Sequence, residues 1–556
     1  MKSHGQDTVS PSFDTILREL GSAIGPAYVL TDPDVLAEYA RATFATNQRI
    51  ALVVLPASSA QVQAVVRVAI RHGLPLYPVS RGRNWGLGSR VPVGTNHCVV
   101  DLKRMNRIVA YDAADAVMTI EPGVTFQQIA DFLEEQRSDL FLAAIGGPAD
   151  ASVLANTLER GDALGPVGER ARYCCGLEVV LPSGDVLRTG FDAFRDSLVA
   201  KVAPYGLGPA LEGLFFQSNL GIVTSMNVWL ARKPHDLRVF MFATRSEAQI
   251  VAAMAAVRGL QQRGVVGDTS CSVWNVYRFA TTQMTYPWQE GQPLASPEEL
   301  LARLPRSWRG TKWVGFVGVY SPSTLHGLAS EWLVRKALRG KVSRLTVVSP
   351  LRAWLGRLLR RPLHRLTGID VGKLLDNMYF HSVFLGHPSS TGPASTYWRK
   401  RVALPKRDDP DRDRCGLHWV CVALPFKGEH VAKVTTIVED ISIGYKLEPM
   451  CMFFNMSQWY MKAFIVVMFD RDAPGEEERA RSCHDEMLVR LVAAGYPPVR
   501  LGIQSMHLVA PTDQVYVDLL RNLKRTIDPA DIIAPGRYDF RQAWEQAAPA
   551  SDSPAK

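Results

Sequence analysis

Ser80-Arg81-Gly82-Arg83-Asn84-Trp85-Gly86-Leu87-Gly88 is the stretch on which the reading of this chain turns. Leu76 to Val79 before it reads as a short strand, and three glycines within seven positions let successive backbone N–H groups turn toward one point. Such a concavity suits an anion, and Arg81 and Arg83 add charge of the kind that binds phosphate. No Gly-Lys-Ser/Thr closes the loop, and Pro92 with a further strand follows where a dinucleotide fingerprint would open a helix. Taken alone, the stretch is equally a glycine-rich surface turn.

The flanks alternate strands with helices. Ala51 to Leu55 is an apolar, β-branched run. Ser58 and Ser59 are candidate caps for a helix that carries Val62, Val65, Val66 and Ala69 on one face and ends near Gly73. After the loop come strands around Cys98 to Leu102 and Ala116 to Glu121, then Thr125 and Gln128 as a capping box for a helix burying Ile129, Phe132 and Leu133. Leu177 to Leu181 and Asp185 to Arg188 flank Pro182-Ser183-Gly184 as a hairpin. Strands with interspersed helices predict an α+β layer architecture. After roughly Arg232 the pattern is less regular and richer in Trp, Met and Arg.

The chain has 556 residues, which is long for one core and predicts two domains. With 47% hydrophobic and 21% charged residues it has the composition of a globular enzyme. Lys plus Arg exceed Asp plus Glu by 63 − 54, or +9, a modest excess for this length that does not require a nucleic-acid partner. Met1 to Phe13 lacks an apolar signal core, and no run approaches ~18 apolar residues, so a cytoplasmic protein without a membrane span is expected. The eight cysteines form no CxxC pair, and no metal site is expected. Between Glu331 and Lys373 eleven Lys or Arg face two acids. Within this basic segment (335–366) Leu351 to Leu358 reads as a membrane-surface or partner-docking helix or, more simply, a solvated one on a cap domain.

Four segments, in order, resemble the FAD domain of the vanillyl-alcohol oxidase and p-cresol methylhydroxylase family. They are Pro78 through Gly88; Glu121-Pro122-Gly123-Val124-Thr125; Ser152 through Gly161 and on to Gly176 to Leu181; and Ser218 to Thr224. Asp528-Pro529 with Ile532 to Arg537 matches the family's C-terminal return. The resemblance implies an α+β fold in which a discontinuous, two-subdomain FAD-binding domain (1–235 and 500–556) encloses an α+β cap domain (236–499). It also implies that FAD contacts Ser80, Arg81, Gly82, Arg83, Asn84, Trp85, Ser152, Asn156, Gly176, Val179, Gly221, Ile222, Val223, Arg500 and Arg537. Cys415-Gly416-Leu417-His418-Trp419-Val420 resembles the cap strand whose histidine is joined to the flavin 8α-methyl in many relatives, which makes His418 the expected covalent anchor. Without the resemblance, a lone histidine in such a strand is an ordinary core residue.

Phenol-oxidising relatives hold their substrate as a phenolate with two tyrosines and an arginine. The tyrosine positions fall on Leu87 and Val499, and a further pocket tyrosine on Val167, while the arginine is kept as Arg500. Leucine and valine neither donate to a phenol nor lower its pKa, so a simple para-alkylphenol is not the expected substrate. Arg500 serves either the reduced flavin or a substrate carboxylate. The acidic residue expected near flavin N5 falls on Gly147, with Asp150 as its nearest replacement, and Tyr397, Tyr445, Trp459 and Tyr460 are candidate cap aromatics.

These readings predict an FAD-linked oxidase or dehydrogenase that removes a hydride from a mid-sized organic substrate, an alcohol, amine or activated allylic or benzylic carbon. The alternatives are a flavin-holding scaffold with lost catalysis and a cytochrome-coupled dehydrogenase. Oxygen or a redox protein is the expected acceptor, and a homodimer or larger assembly is implied by resemblance.

Overall fold

The computed structural model describes residues 13–288, 295–303, 308–359, 382–388, 391–402, 404 and 406–540. Three larger sheets organise them, beside a two-stranded pair of Leu140–Phe141 with Ala231–Arg232. The first has the strand order Val29–Leu30, Ile50–Val54, His97–Asp101, Leu76–Val79, parallel except at its first pair. Helix Ser59–His72 covers it, capped by the Ser58 hydroxyl on Gln61 N and stopped by Gly73 in a left-handed conformation. Its valines pack with Leu52, Val54, Cys98 and Val100 in one apolar cluster. The 3.6-residue and 2-residue periods of these segments each have a buried face to meet, which is why they read clearly from sequence.

The second sheet is antiparallel, in the order Ile108–Asp112, Val117–Ile120, Ile222–Trp229, Cys174–Val180, Val186–Arg188. Thr125 caps helix Phe126–Glu135 through Gln128 N, but the capping box is not closed, because the Gln128 side chain donates to Asn106 O at 2.8 Å instead.

The region that looked irregular is one eight-stranded antiparallel sheet. Its order is Arg344–Val348, Asp236–Thr244, Trp313–Ser321, Cys271–Asn275, Met450–Asn455, Tyr460–Asp470, Cys415–Pro425, Pro498–Arg500. Strand Asp236–Thr244 is buried at every position but one, so it lacks the polar and apolar alternation that marks a strand with one wet face. Helices Glu247–Gln262, Gly428–Gly444 and Glu476–Ala493 contribute to the large apolar cluster of this sheet.

The C-terminal segment returns to the first sheet. Leu76 N donates to Ile532 O and Ala534 N to Leu76 O, each at 2.7 Å. Asp528 fastens the turn by accepting from Ile532 N, Ile533 N and Lys524 Nζ. All eight cysteines are buried free thiols. Among the described residues no helix is long and apolar enough to cross a membrane. Helix Pro350–Leu358 exposes Leu351, Trp354, Leu355 and Leu358 and is tied down by Arg352 on Glu331; the rest of the basic segment, from 360, lies outside the described residues, as does the C-terminal tail from 541.

Candidate active site

The glycine-rich loop leaves strand Leu76–Val79 at the edge of the first sheet and runs beneath the large sheet. Among the described residues, none of the backbone N–H groups from Arg81 to Trp85 donates to a protein acceptor. Five successive unused donors in one turn form the cradle an anion requires. Gly86 adds a constraint of a different kind. Its N–H donates to Thr43 Oγ1 at 2.9 Å, and it adopts φ 78° directly under the strand that carries Leu417 and Trp419.

The two arginines of the loop do not both serve the cradle. Arg83 bonds the Asp150 carboxylate at 2.7–2.8 Å and Asp409 at 3.2 Å, so its charge is met within the protein. Arg81 reaches the Asp150 carbonyl at 3.2 Å. The cradle therefore draws more on backbone dipoles than the sequence implied.

From the loop a cavity of about 1050 Å³ extends between the sheets. One end is walled by Ser80 to Trp85, Ser152, Asn156, Gly221 to Val223 and Arg537. Ser152 caps helix Val153–Leu158 through Ala155 N and donates to Pro122 O, which holds the helix start against this wall. The other end is an apolar chamber under the large sheet, lined by Trp274, Phe279, Phe316, Phe454, Phe464 and Met468. The loop end suits the diphosphate of an elongated dinucleotide such as FAD, and the chamber suits a flat, largely apolar group.

Charged groups on the walls are paired in an ordered way. Glu159 is the hub of one cluster: it accepts from Arg537 Nη2 and, at 3.0 Å, from Tyr538 OH, and Arg500 Nε lies 3.5 Å away without a hydrogen bond. Arg500 Nη2 donates to Asn84 Oδ1 at 2.8 Å, which ties the large sheet to the glycine loop. Asp162 takes Lys462 Nζ on both oxygens at 2.8 Å, and burial raises its carboxyl pKa despite that cation.

Of the residues read from sequence, the structure gathers Ser80 to Trp85, Leu87, Ser152, Asn156, Gly221 to Val223, Val499, Arg500 and Arg537 around the cavity. Several others lie elsewhere. His418 faces the wrong way for a flavin anchor: strand alternation turns Leu417, Trp419 and Cys421 to the cavity and His418 to the opposite face. There its ring stacks between Phe44 and Phe469, at 4.9 and 5.3 Å, with His484 at 5.1 Å. Among the described residues neither ring nitrogen has a hydrogen-bond partner, and burial, with His484 beside it, holds its pKa well below the ordinary value. Asp150 is not on the cavity wall, and its carboxylate belongs to Arg83, so it is misplaced as a base. Tyr397 is buried with its hydroxyl on Asp413 at 2.6 Å, and Trp459 is exposed at a strand turn; neither lines the cavity. Tyr445 and Tyr460 likewise donate to Glu486 and Glu169. Val167 sits off the wall with φ 56°. Gly176 and Val179 lie off the cavity wall: a Cβ on Gly176 would meet Asn227 Nδ2 at 2.5 Å, and Val179 is core.

Sequence reasoning missed Glu159, Asp162, Arg278, Trp419 and Cys421, all on the cavity wall. Glu159 was visible within the Glu159-Arg160-Gly161 segment; the others carry no local signal.

Comparison with known proteins agrees with this geometry. Residues 50–190 match the model of an FAD binding domain. The chain is 42% identical to 1'-carboxy-chondrochloren decarboxylase of Chondromyces crocatus, across 94% of this chain and 97% of that protein. It is 26% identical to the flavoprotein subunit of 4-cresol dehydrogenase [hydroxylating] of Pseudomonas putida, across 94% and 95%. Among solved structures, p-cresol methylhydroxylase with substrate bound superposes with a TM-score of 0.83 at 25% identity, covering 96% of this chain and 98% of that one.

Proposed function

Because this chain belongs to the vanillyl-alcohol oxidase and p-cresol methylhydroxylase family of FAD-linked oxidoreductases, we propose that it removes a hydride from a C–H bond of a mid-sized, largely apolar organic substrate. The observation that carries the reading is the single cavity joining the unused loop amides to an aromatic chamber. FAD, when bound, supplies a two-electron acceptor. The chain's own part is to bind and orient. The loop amides hold the diphosphate, as amide nests do. Arg500, fixed on Asn84, keeps a cation where the two sheets meet, available to stabilise negative charge as it develops. Leu87 and Val499 make this part of the wall apolar, which leaves a phenol without activating partners and argues against a para-alkylphenol substrate.

In this reading His418 is not the anchor of the FAD. Leu417, Trp419 and Cys421 are the side chains this strand offers to the cavity, and of these only the thiol is a nucleophile. Burial pushes the Cys421 thiol up to about 12, so its thiolate is scarce near neutral pH. Acid precipitation tests this: yellow supernatant over a colourless pellet is expected, and flavin that stays with the pellet would overturn it.

A second reading, that hydride removal is coupled to loss of CO2 from a carboxylated substrate, is supported by the 42% identity to a decarboxylase over nearly the whole chain. An anaerobic screen of alcohols, amines and carboxylic acids, watching the flavin band bleach, separates the two. Bleaching with release of CO2 favours the second, bleaching without it the first, and no bleaching by any substrate overturns both.

A further inference from the structure

Strand Cys271–Asn275 and helix Val276–Gln283 follow one another without a loop, joined at Asn275, whose side chain caps the helix by accepting from Arg278 N at 3.0 Å. Strand alternation puts Ser272 and Trp274 on the same face, and the first turn of the helix brings Arg278 alongside them. All three line the chamber end of the cavity. Arg278 is 6% exposed, with its guanidinium 5.3 Å from the Trp274 ring centroid.

Their hydrogen-bonding capacity is not used up by the protein. Arg278 Nη1 donates to Thr281 Oγ1 at 2.7 Å and to Ser395 Oγ at 3.0 Å, two neutral hydroxyls that orient the group without neutralising it. Among the described residues, Arg278 Nε, Trp274 Nε1 and Ser272 Oγ are buried with no hydrogen-bond partner. Among the described residues no carboxylate pairs with Arg278; the buried Arg238 and Lys462 each have one, and buried Arg170, which has none, donates to Asn156 Oδ1. Burial draws the Arg278 pKa down only to about 10, so it carries a full charge near neutral pH. An unpaired buried cation costs several kcal/mol, roughly the penalty of removing one partner from a buried pair, and persists where something outside the chain completes it.

We infer that Arg278, with Ser272 and Trp274, forms a subsite for a substrate carboxylate, so that the substrate class is a carboxylic acid with an apolar, aromatic-sized body. The inference rests on the proposed oxidoreductase reading for the cavity's use, but not on any flavin contact. The guanidinium presents a planar fork matched to two carboxylate oxygens, and the aromatic walls of the chamber accept the rest of the molecule. Arg278 is then a specificity-determining residue for binding.

Calorimetric titration of the holoprotein with 3-phenylpropionate and with 3-phenylpropionamide tests this directly. The acid should bind at least tenfold tighter than the amide, Arg278→Gln should bring the two within about twofold, and Arg278→Lys should keep part of the preference. Equal affinities in the native protein, absence of binding by either, or an unchanged preference in Arg278→Gln would overturn the inference. Should Arg278→Gln not fold, Ser395→Ala serves instead, because it loosens the guanidinium from one side; the preference should fall at least threefold, and an unchanged one overturns the inference. The flavin-to-protein ratio is read on the same samples. Full flavin without acid preference removes this subsite alone, whereas a protein that never binds FAD removes the oxidoreductase reading while the acid preference still reports on Arg278.

Discussion

A Cβ placed on Gly86 would sit 2.3 Å from Trp419 Cδ1, so the glycine loop and the large sheet touch where no side chain is admitted. The loop is thus shaped by the strand above it as much as by any anion it holds. Gly86→Ala must both strain a backbone at φ 78° and push the indole aside. A loss of about 2–4 kcal/mol is expected, from roughly 1–2 kcal/mol of left-handed strain plus overpacking. Thermal melts and the flavin-to-protein ratio should both fall; an unchanged pair of values would show that the loop and strand separate freely.

His418 is expected to govern stability rather than cofactor attachment. Its folded pKa lies well below the value of 6.5 expected when unfolded, so below about pH 6.5 the unfolded chain binds the extra proton. The stability it contributes is present above pH 6.5 and is lost as pH falls toward the folded pKa, with a slope of up to about 1.4 kcal/mol per pH unit from this group. Urea melts at pH 7.5 and 5.5 measure this, and His418→Phe should flatten that part of the slope while leaving flavin content unchanged. Loss of flavin in His418→Phe would return the histidine to the cofactor.

Arg500 is expected to matter for chemistry more than for binding. Arg500→Met removes the bond to Asn84 and the cation facing Glu159. Substrate-driven bleaching should slow by about 10²-fold, the scale of losing one well-placed electrostatic donor, with FAD retained. Stopped-flow reduction under anaerobic conditions gives the rate. A rate within threefold of native would place Arg500 outside the reacting region.

Asp150 should be nearly silent. Its pair with Arg83 is partly solvated, so Asp150→Asn is expected to cost about 0.2–1 kcal/mol in a denaturant melt and to change the bleaching rate by less than threefold. A loss of 10³ or more would reinstate it as a base.

Lys462 and Asp162 form a buried pair on the cavity wall. Lys462→Met leaves a carboxyl whose pKa burial already raises, and about 3–5 kcal/mol of destabilisation is expected at neutral pH. The Lys462→Met, Asp162→Asn double variant should recover part of it, and melts of the three variants form the test.

The residues themselves determined what depends on neighbours in the chain. The helix capped at Ser58, the strand into the loop at Ser80, and the glycines that free the loop amides follow from local periodicity and backbone sterics. The ordered motifs carried the FAD fold, since each one is a short run whose shape is set within the run. What only the tertiary structure decided depends on contacts far apart in sequence. Leu417, His418 and Trp419 are adjacent, and a one-residue change of register exchanges cavity for core, so the side His418 faces is set by what packs on each face. Arg83 meets Asp150 and Asp409 across 67 and 326 positions, and nothing local marks its charge as taken. Arg278 is the reverse case, an arginine like any other in the sequence, distinguished only once folding buries it with, among the described residues, two unpaired donors beside it and no carboxylate, because the energy of a charge depends on what surrounds it.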